Sequence, residues 1–454
     1  TAGQINFTWF IGPSIASAIV NTTQTPLVSL PMMAGRFGGY GKATKALTSA
    51  MNDYMKGKKN WETLSDIEDA ASLTEDERKA IIKLKEDGVI DMTQTVDLTA
   101  GGHSEQVGGM GPSATANRTM RVVGAPFHYA EVFNRQVTAL AAYRLARKNG
   151  SNHDDAIEEA RTLVYDSHFD YSSGNRASIM KGNLGRVLLQ FKQYPQGITY
   201  VMARSLYMMM KDAENAIPAD AENRAELLKK FKEEKHAARV QFTGMMVGYG
   251  VVAGAMGLPI AAVMDMLQGV SNALGDEDDP WDWKTDFMNA MSDNLGEETA
   301  QVLAHGIGKP VLPFDVSSRL ALDSGLWVPR TDDRKEGADA FKDLMFALMG
   351  PTAANAESIF DGIATAQEEG NMSRGVEKML PKALKDVLKT IRYADEQPLT
   401  KKGDRILDED LTFLELAFQA AGFTPDSLSR QGFKNERINF VKMSAEKTAS
   451  KLKS

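Results

Sequence analysis

The chain of 454 residues contains no cysteine. That excludes disulfides, thiolate metal sites and cysteine nucleophiles together. Histidine is scarce. His103, His128, His153, His168, His236 and His305 are dispersed, and no two have the H-E-x-x-H or H-x-x-x-H spacing of a metal pair. No G-x-S-x-G elbow, Walker lysine loop or dinucleotide fingerprint occurs. Nothing singles out a catalytic carboxylate pair among the many Asp and Glu, whose members would meet only in space. The segment therefore reads as non-catalytic, with no cofactor and no metal. A basic excess is also missing. Lys and Arg number 52 against 60 Asp and Glu, a net charge of −8, whereas dedicated nucleic-acid coats are usually basic. No succession of alternating strands and no fixed repeat is visible. The opening residues lack an initiator Met, a basic n-region and a small-residue cleavage site. The chain is accordingly expected to be a processed or partial piece of a longer polypeptide.

What the chain does have is an uncharged run from Phe242 to Met264. A helix spanning the hydrocarbon core of a bilayer needs about 20 residues, and this run is long enough. It also carries Gly244-x-x-x-Gly248 and Gly250-x-x-x-Gly254, spacings that let helix backbones approach closely. A buried or inter-subunit helix has the same signature, and both readings stand. A second uncharged region, Thr1 to Gly35, is interrupted by Pro13, Pro26 and Pro31. It reads as two apolar segments, 5–20 and 26–34, joined by a polar turn. The 24 methionines supply adaptable apolar packing.

Helical periodicity dominates elsewhere. Thr74-Glu75-Asp76-Glu77 is a capping box, with Gly88 as the stop. A long helix is predicted from Pro126 to Asn149-Gly150, another over 154–164, and more over 182–193 and 196–211. A charged helix over 219–240 should run into the apolar segment. Residues 89–120 read as a Gly-rich loop, 275–283 as an acidic turn, and 306–335 as irregular. Short helices are predicted over 338–349, 355–368 and 376–392. The fold class is all-α, multi-helical and extended, with few or no strands, expected as an oligomeric ring or tube. Five regions are read: 1–60, an apolar helical segment; 61–125, a charged hairpin and linker; 126–275, a central helical domain with the apolar helix 242–264; 276–345, acidic and Pro-rich; and 346–454, short helices with a basic tail.

The best ligand candidate is the stretch from Tyr171 to Lys211. It holds Arg176, Lys181, Arg186, Lys192, Arg204 and Lys211 without one acidic residue, interleaved with Tyr171, Phe191, Tyr194, Tyr200 and Tyr207. Cations neutralise DNA or lipid phosphates, and aromatic faces stack on bases or lie at a lipid interface. The plainer reading is an amphipathic helix pair whose cations face water.

Several strings then stand out: Asn21-Thr22-Thr23-Gln24-Thr25-Pro26-Leu27-Val28-Ser29-Leu30-Pro31, followed by Ala34-Gly35-Arg36-Phe37-Gly38; His168-Phe169-Asp170-Tyr171-Ser172-Ser173-Gly174-Asn175-Arg176; Gln190-Phe191-Lys192-Gln193-Tyr194-Pro195; Gly254-Ala255-Met256-Gly257-Leu258-Pro259; and Ser317-Ser318-Arg319-Leu320. They resemble the C-terminal region of giant phage and prophage proteins of the PLxRFG type, across residues 20 to 395. The name-giving hexapeptide is not intact, because Arg36-Phe37-Gly38 follows Pro31 at a different distance. The resemblance implies an internal virion or DNA-ejection protein of a short-tailed phage. Such a protein waits in the capsid interior, then enters the host envelope (periplasm and inner membrane) and helps build a channel for the genome. Its implied partners are further copies of itself, other ejection or core proteins, portal or tail, double-stranded DNA in passage and the host membrane. The alternative is a nucleic-acid-binding module of a co-injected virion protein, associated with a virion RNA polymerase or with anti-restriction. Any murein-cleaving or polymerase domain of the implied protein would lie elsewhere in the polypeptide.

Overall fold

The computed structural model describes residues 2–57, 61–91, 122–169, 193–212, 217–218, 223–274, 283–306, 314–315, 317–320, 322, 358–367, 372–400 and 404–432, with 434–435, 438 and 442. The fold is all-α. Helices make up almost all of the regular structure, and the strands among the described residues are a two-residue antiparallel pair. The chain forms two compact units. Unit 1 is Thr1–Pro13 with Ser17–Gly248, and unit 2 is Ser14–Ala16 with Tyr249–Ser454.

Unit 1 holds α1 (Ala2–Phe10), most of α2 (Ile15–Thr22), a π-helical turn (Thr25–Ser29), α3 (Leu30–Arg36), α4 (Tyr40–Lys56), α5 (Leu64–Glu68), α6 (Glu75–Glu86), α7 (Ala125–Lys148), α8 (His153–His168), α9 (Gln193–Met210) and most of α10 (Arg224–Ala253). Its centre is α7, buried on nearly every side from Ala130 to Ala146 and packed against α8, α4 and α6. The predicted capping box is present: Thr74 accepts from Glu77 N–H, and the Glu77 carboxylate accepts from Thr74 N–H. Gly150, at φ 103°, turns the chain out of α7 as its Asn-Gly signal predicts. The Tyr54 ring meets Trp61 and Phe133 edge-on, at centroid distances of 5.3 and 5.1 Å.

The N-terminal prediction needs correction. No polar turn separates residues 5–20 from 26–34. The chain stays helical almost without interruption from Ile15 to Arg36. Thr22 and Thr23 turn their hydroxyls back onto the carbonyls of Ile19 and Val20, at 2.7 and 2.6 Å, so the polar side chains satisfy the helix instead of ending it. Pro31 has no amide hydrogen, and its ring crowds the carbonyl four residues back. The wider turn just before it, with Leu30 N–H donating to Thr25 O, gives that ring room.

Unit 2 follows Gly248. It holds the end of α10, a 3-10 turn (Ala255–Gly257), α11 (Pro259–Leu274), α12 (Trp283–Leu295), α13 (Glu297–His305), β1 (Phe314–Asp315), α14 (Ser317–Leu320), helical residues 358–367, α15 (Met372–Lys378), α16 (Lys382–Glu396), α17 (Phe413–Ala421) and β2 (Thr424–Pro425). Phe314 pairs across the strands with Pro425, and its ring lies 4.0 Å from Phe418 and 4.6 Å from Phe423 by centroid.

Two predicted helices are broken here. The run over 242–264 is not one helix. It ends at Gly254, at φ 72°, where a side chain would collide with the backbone: a built Cβ would lie 2.3 Å from Ala304 O. A short turn follows, and α11 restarts at Pro259. Among the described residues no helix is long and apolar enough to cross a membrane. The helix predicted over 376–392 is divided at Pro381, which cannot continue α15. Most of the predicted Gly-rich loop, acidic turn, irregular segment and basic tail, and the helices predicted over 182–193 and 338–349, lie outside the described residues.

Candidate functional site

The first candidate is built around α10. On this helix Gly244 and Gly248 face the proline-bent N-terminal segment. A Cβ on Gly244 would lie 1.5 Å from Tyr40 Oη and 3.1 Å from Pro31 Cβ, and one on Gly248 would lie 3.1 Å from Leu27 Cδ2. The partner of this predicted pair is thus another stretch of the same chain. A third glycine, which the spacing argument overlooks, brings the backbones of α3 and α10 together. A Cβ on Gly35 of α3 would lie 2.6 Å from Ala237 O. Gly250 and Gly254 do not act as a packing pair. Gly250 has nothing within 4 Å of its Cβ position, and Gly254 terminates the helix. Beside the contact lies an open, almost wholly apolar cleft of about 590 Å³, lined by Pro26, Leu30, Tyr40, Thr243, Gly244 and Val247. Tyr40 donates to Val240 O at 3.4 Å, and burial raises its phenol above the ordinary value.

A second cluster lies buried where α7, α8 and the π-helical turn meet. His168 Nε2 lies 2.9 Å from Thr138 Oγ1 and 3.1 Å from Ser29 Oγ, and Thr138 donates to Ser29 at 3.3 Å. Arg135 donates to the carbonyls of Val89, His168 and Phe169, at 3.0, 3.3 and 2.7 Å. Thr25 donates to Asn134 Oδ1 at 2.7 Å, Asn134 donates to Asn21 O at 2.8 Å, and Gln24 donates to Ser167 O at 2.8 Å. Burial, and then the Arg135 guanidinium, hold the His168 imidazole well below its ordinary pKa. The ring is therefore neutral at pH 7. Serine and histidine within hydrogen-bond reach suggest nucleophile and base. Yet Ser29, Thr138 and His168 are all buried, so no substrate reaches either hydroxyl. The cluster is a satisfied polar seam that fixes how three elements pack. In the sequence these partners stand 30 and 139 residues from the histidine, too far for any local pattern to join them.

The phosphate-contact candidates divide. Arg176, Lys181, Arg186 and Lys192 lie outside the described residues. Arg204, on α9, and Lys211, just beyond its end, are exposed, and among the described residues neither makes an ion pair. On the side of α9 away from these cations, Ile198 and Met202 are buried, and Val201 and Met209 are half-buried. No group of three or more His, Asp or Glu among the described residues is arranged to hold a metal ion. No family model, curated protein or solved structure matches the chain.

Proposed function

We propose that this chain is a structural assembly protein, an internal virion component that leaves the capsid and oligomerises into part of a channel for genome passage across the host envelope. One observation carries the reading. Helix α16 turns its apolar stripe outward. Leu384, Val387, Leu388 and Ile391 recur at i, i+3, i+4 and i+7 and are between 38% and 61% exposed, while Asp386 and Tyr393 on the opposite face are buried. A helix in a self-sufficient unit does the reverse. Phe413 and Leu414, at the start of α17, are exposed as well. Exposed apolar patches of this kind mark contact surfaces. Copies that bury this stripe against a different patch of the next copy, through a repeated head-to-tail interface, close into a ring where the rotation closes. The cleft beside α10 supports the same reading more weakly, because Val247 remains open to a partner.

Sedimentation velocity over a range of concentrations tests this. The expected result is an oligomer for the native chain. The double variant Leu388→Lys with Ile391→Lys should be monomeric with unchanged helix content. A native chain that stays monomeric at every concentration overturns the assignment.

A further inference from the structure

Helix α9 carries no Asp or Glu. Its inner side is Ile198, Met202 and Ser205, all buried. The opposite arc presents large apolar groups to solvent: Tyr200 is 67% exposed, Tyr207 66% and Met210 76%, with Leu206 beside them. At 100° per residue, Arg204 and Lys211 fall together along one edge of that arc. The helix is thus amphipathic twice over, apolar inward to its own unit and apolar outward with a cationic border.

Two kinds of anionic partner match cations interleaved with tyrosines, and the geometry chooses between them. Tyr200 and Tyr207 are separated by about 10 Å of helix rise, whereas neighbouring stacked bases lie about 3.4 Å apart. Leu206 and Met210 offer aliphatic surface, for which bases have little use. Both fit the boundary between headgroups and acyl chains, where a helix too polar to span the membrane lies flat with its apolar arc immersed. The tyrosines suit the same depth. The net charge of −8 repels an anionic surface from the molecule as a whole, so attraction has to be local.

We infer that the outward face of α9 docks on an anionic phospholipid bilayer, with Arg204 and Lys211 on lipid phosphates and Tyr200, Leu206, Tyr207 and Met210 in the interface. The inference rests on the chain acting at an envelope, and it names the surface that makes contact there.

Flotation of the full chain tests it, with vesicles of equal parts phosphatidylcholine and phosphatidylglycerol against phosphatidylcholine alone. The native chain should float with the mixed vesicles. Arg204→Gln with Lys211→Gln should bind them about thirtyfold more weakly, at about 1 kcal/mol per cation. Tyr207→Ser with Met210→Ser should abolish binding. Failure of the native chain to float, or flotation of both double variants at the native level, overturns the docking. So does binding to single-stranded DNA that the charge variant loses while vesicles stay unbound. Sedimentation of the same samples separates the two proposals. A chain that assembles without floating overturns only the α9 contact, and one that floats as a monomer overturns only the assembly.

Discussion

In unit 1 the longest internal helix, α7, is buried on almost every side, and its polar residues Asn134, Arg135 and Thr138 all find partners inside the unit. In unit 2 the amphipathic helix α16 buries a carboxylate, Asp386, and leaves its leucines and isoleucine in water. The first is the interior of a compact unit, where most buried polar groups are answered and Gln136 Oε1 is an exception. The second has the composition of half an interface, apolar outward and awaiting cover. The comparison teaches that outward apolar faces belong to particular helices, α16 in unit 2 and α9 in unit 1, and not to a loose packing of the chain everywhere.

The sharpest way to break that contrast is to spoil the seam. Arg135→Met removes three hydrogen bonds and leaves the carbonyls of Val89, His168 and Phe169 unanswered, at a cost of about 3–5 kcal/mol. Residue-resolved hydrogen exchange should show α7 and α8 losing protection while α16 and α17 keep theirs. Uniform loss in both units would mean that they do not unfold separately.

A smaller effect separates two glycines. Gly35→Ala presses a methyl group into the backbone at Ala237, at about 1–3 kcal/mol. Gly244→Ala meets chiefly the tip of the exposed Tyr40 side chain, which can swing aside, and a tight but not colliding 3.1 Å contact with Pro31 Cβ, while alanine favours the helix by about 1 kcal/mol. Thermal unfolding should therefore show Gly35→Ala destabilised and Gly244→Ala near the native value.

Acid should act on two buried groups, His168 in unit 1 and Asp386 in unit 2, in opposite directions. His168 is neutral when folded and protonates more readily when unfolded, so the unfolded state holds the extra proton below about pH 6.5. Its contribution to unit 1 is complete above that pH and falls by up to about 1.4 kcal/mol per pH unit below it. The Asp386 carboxyl is raised by burial, against the pull of Lys382 and Arg319. The folded state then holds the extra proton, so this group makes unit 2 more stable as pH falls through its folded value toward 3.8. Hydrogen exchange at pH 7 and pH 5 should show protection falling in α8, and His168→Gln should flatten that slope.

Much of this fold was legible where a signal is local. Thr74 with Glu77, and Asn149 with Gly150, mark helix ends through bonds and angles confined to a few residues. The helical class followed from the same periodicities. The break at Gly254 was not legible, because a glycine four residues after Gly250 looks the same whether it packs helices or stops one. What decides is the carbonyl of Ala304, fifty residues on. The π-helical turn escaped notice for a related reason, since Pro26 and Pro31 read as breakers until the threonine hydroxyls and the wider turn are seen to absorb them. Of the candidate site, Gly244, Gly248, Arg204 and Lys211 were read from spacing and charge. Gly35 and the His168 seam were not, because each depends on contacts far apart in the chain.

The chain passes from unit 1 into the main part of unit 2 within α10, between Gly248 and Tyr249, inside the uncharged run. From Val240 to Trp283 the chain has no lysine or arginine. Trypsin-like proteases therefore have no bond to cut at this passage, and digestion that trims either unit leaves the greasy tether there whole.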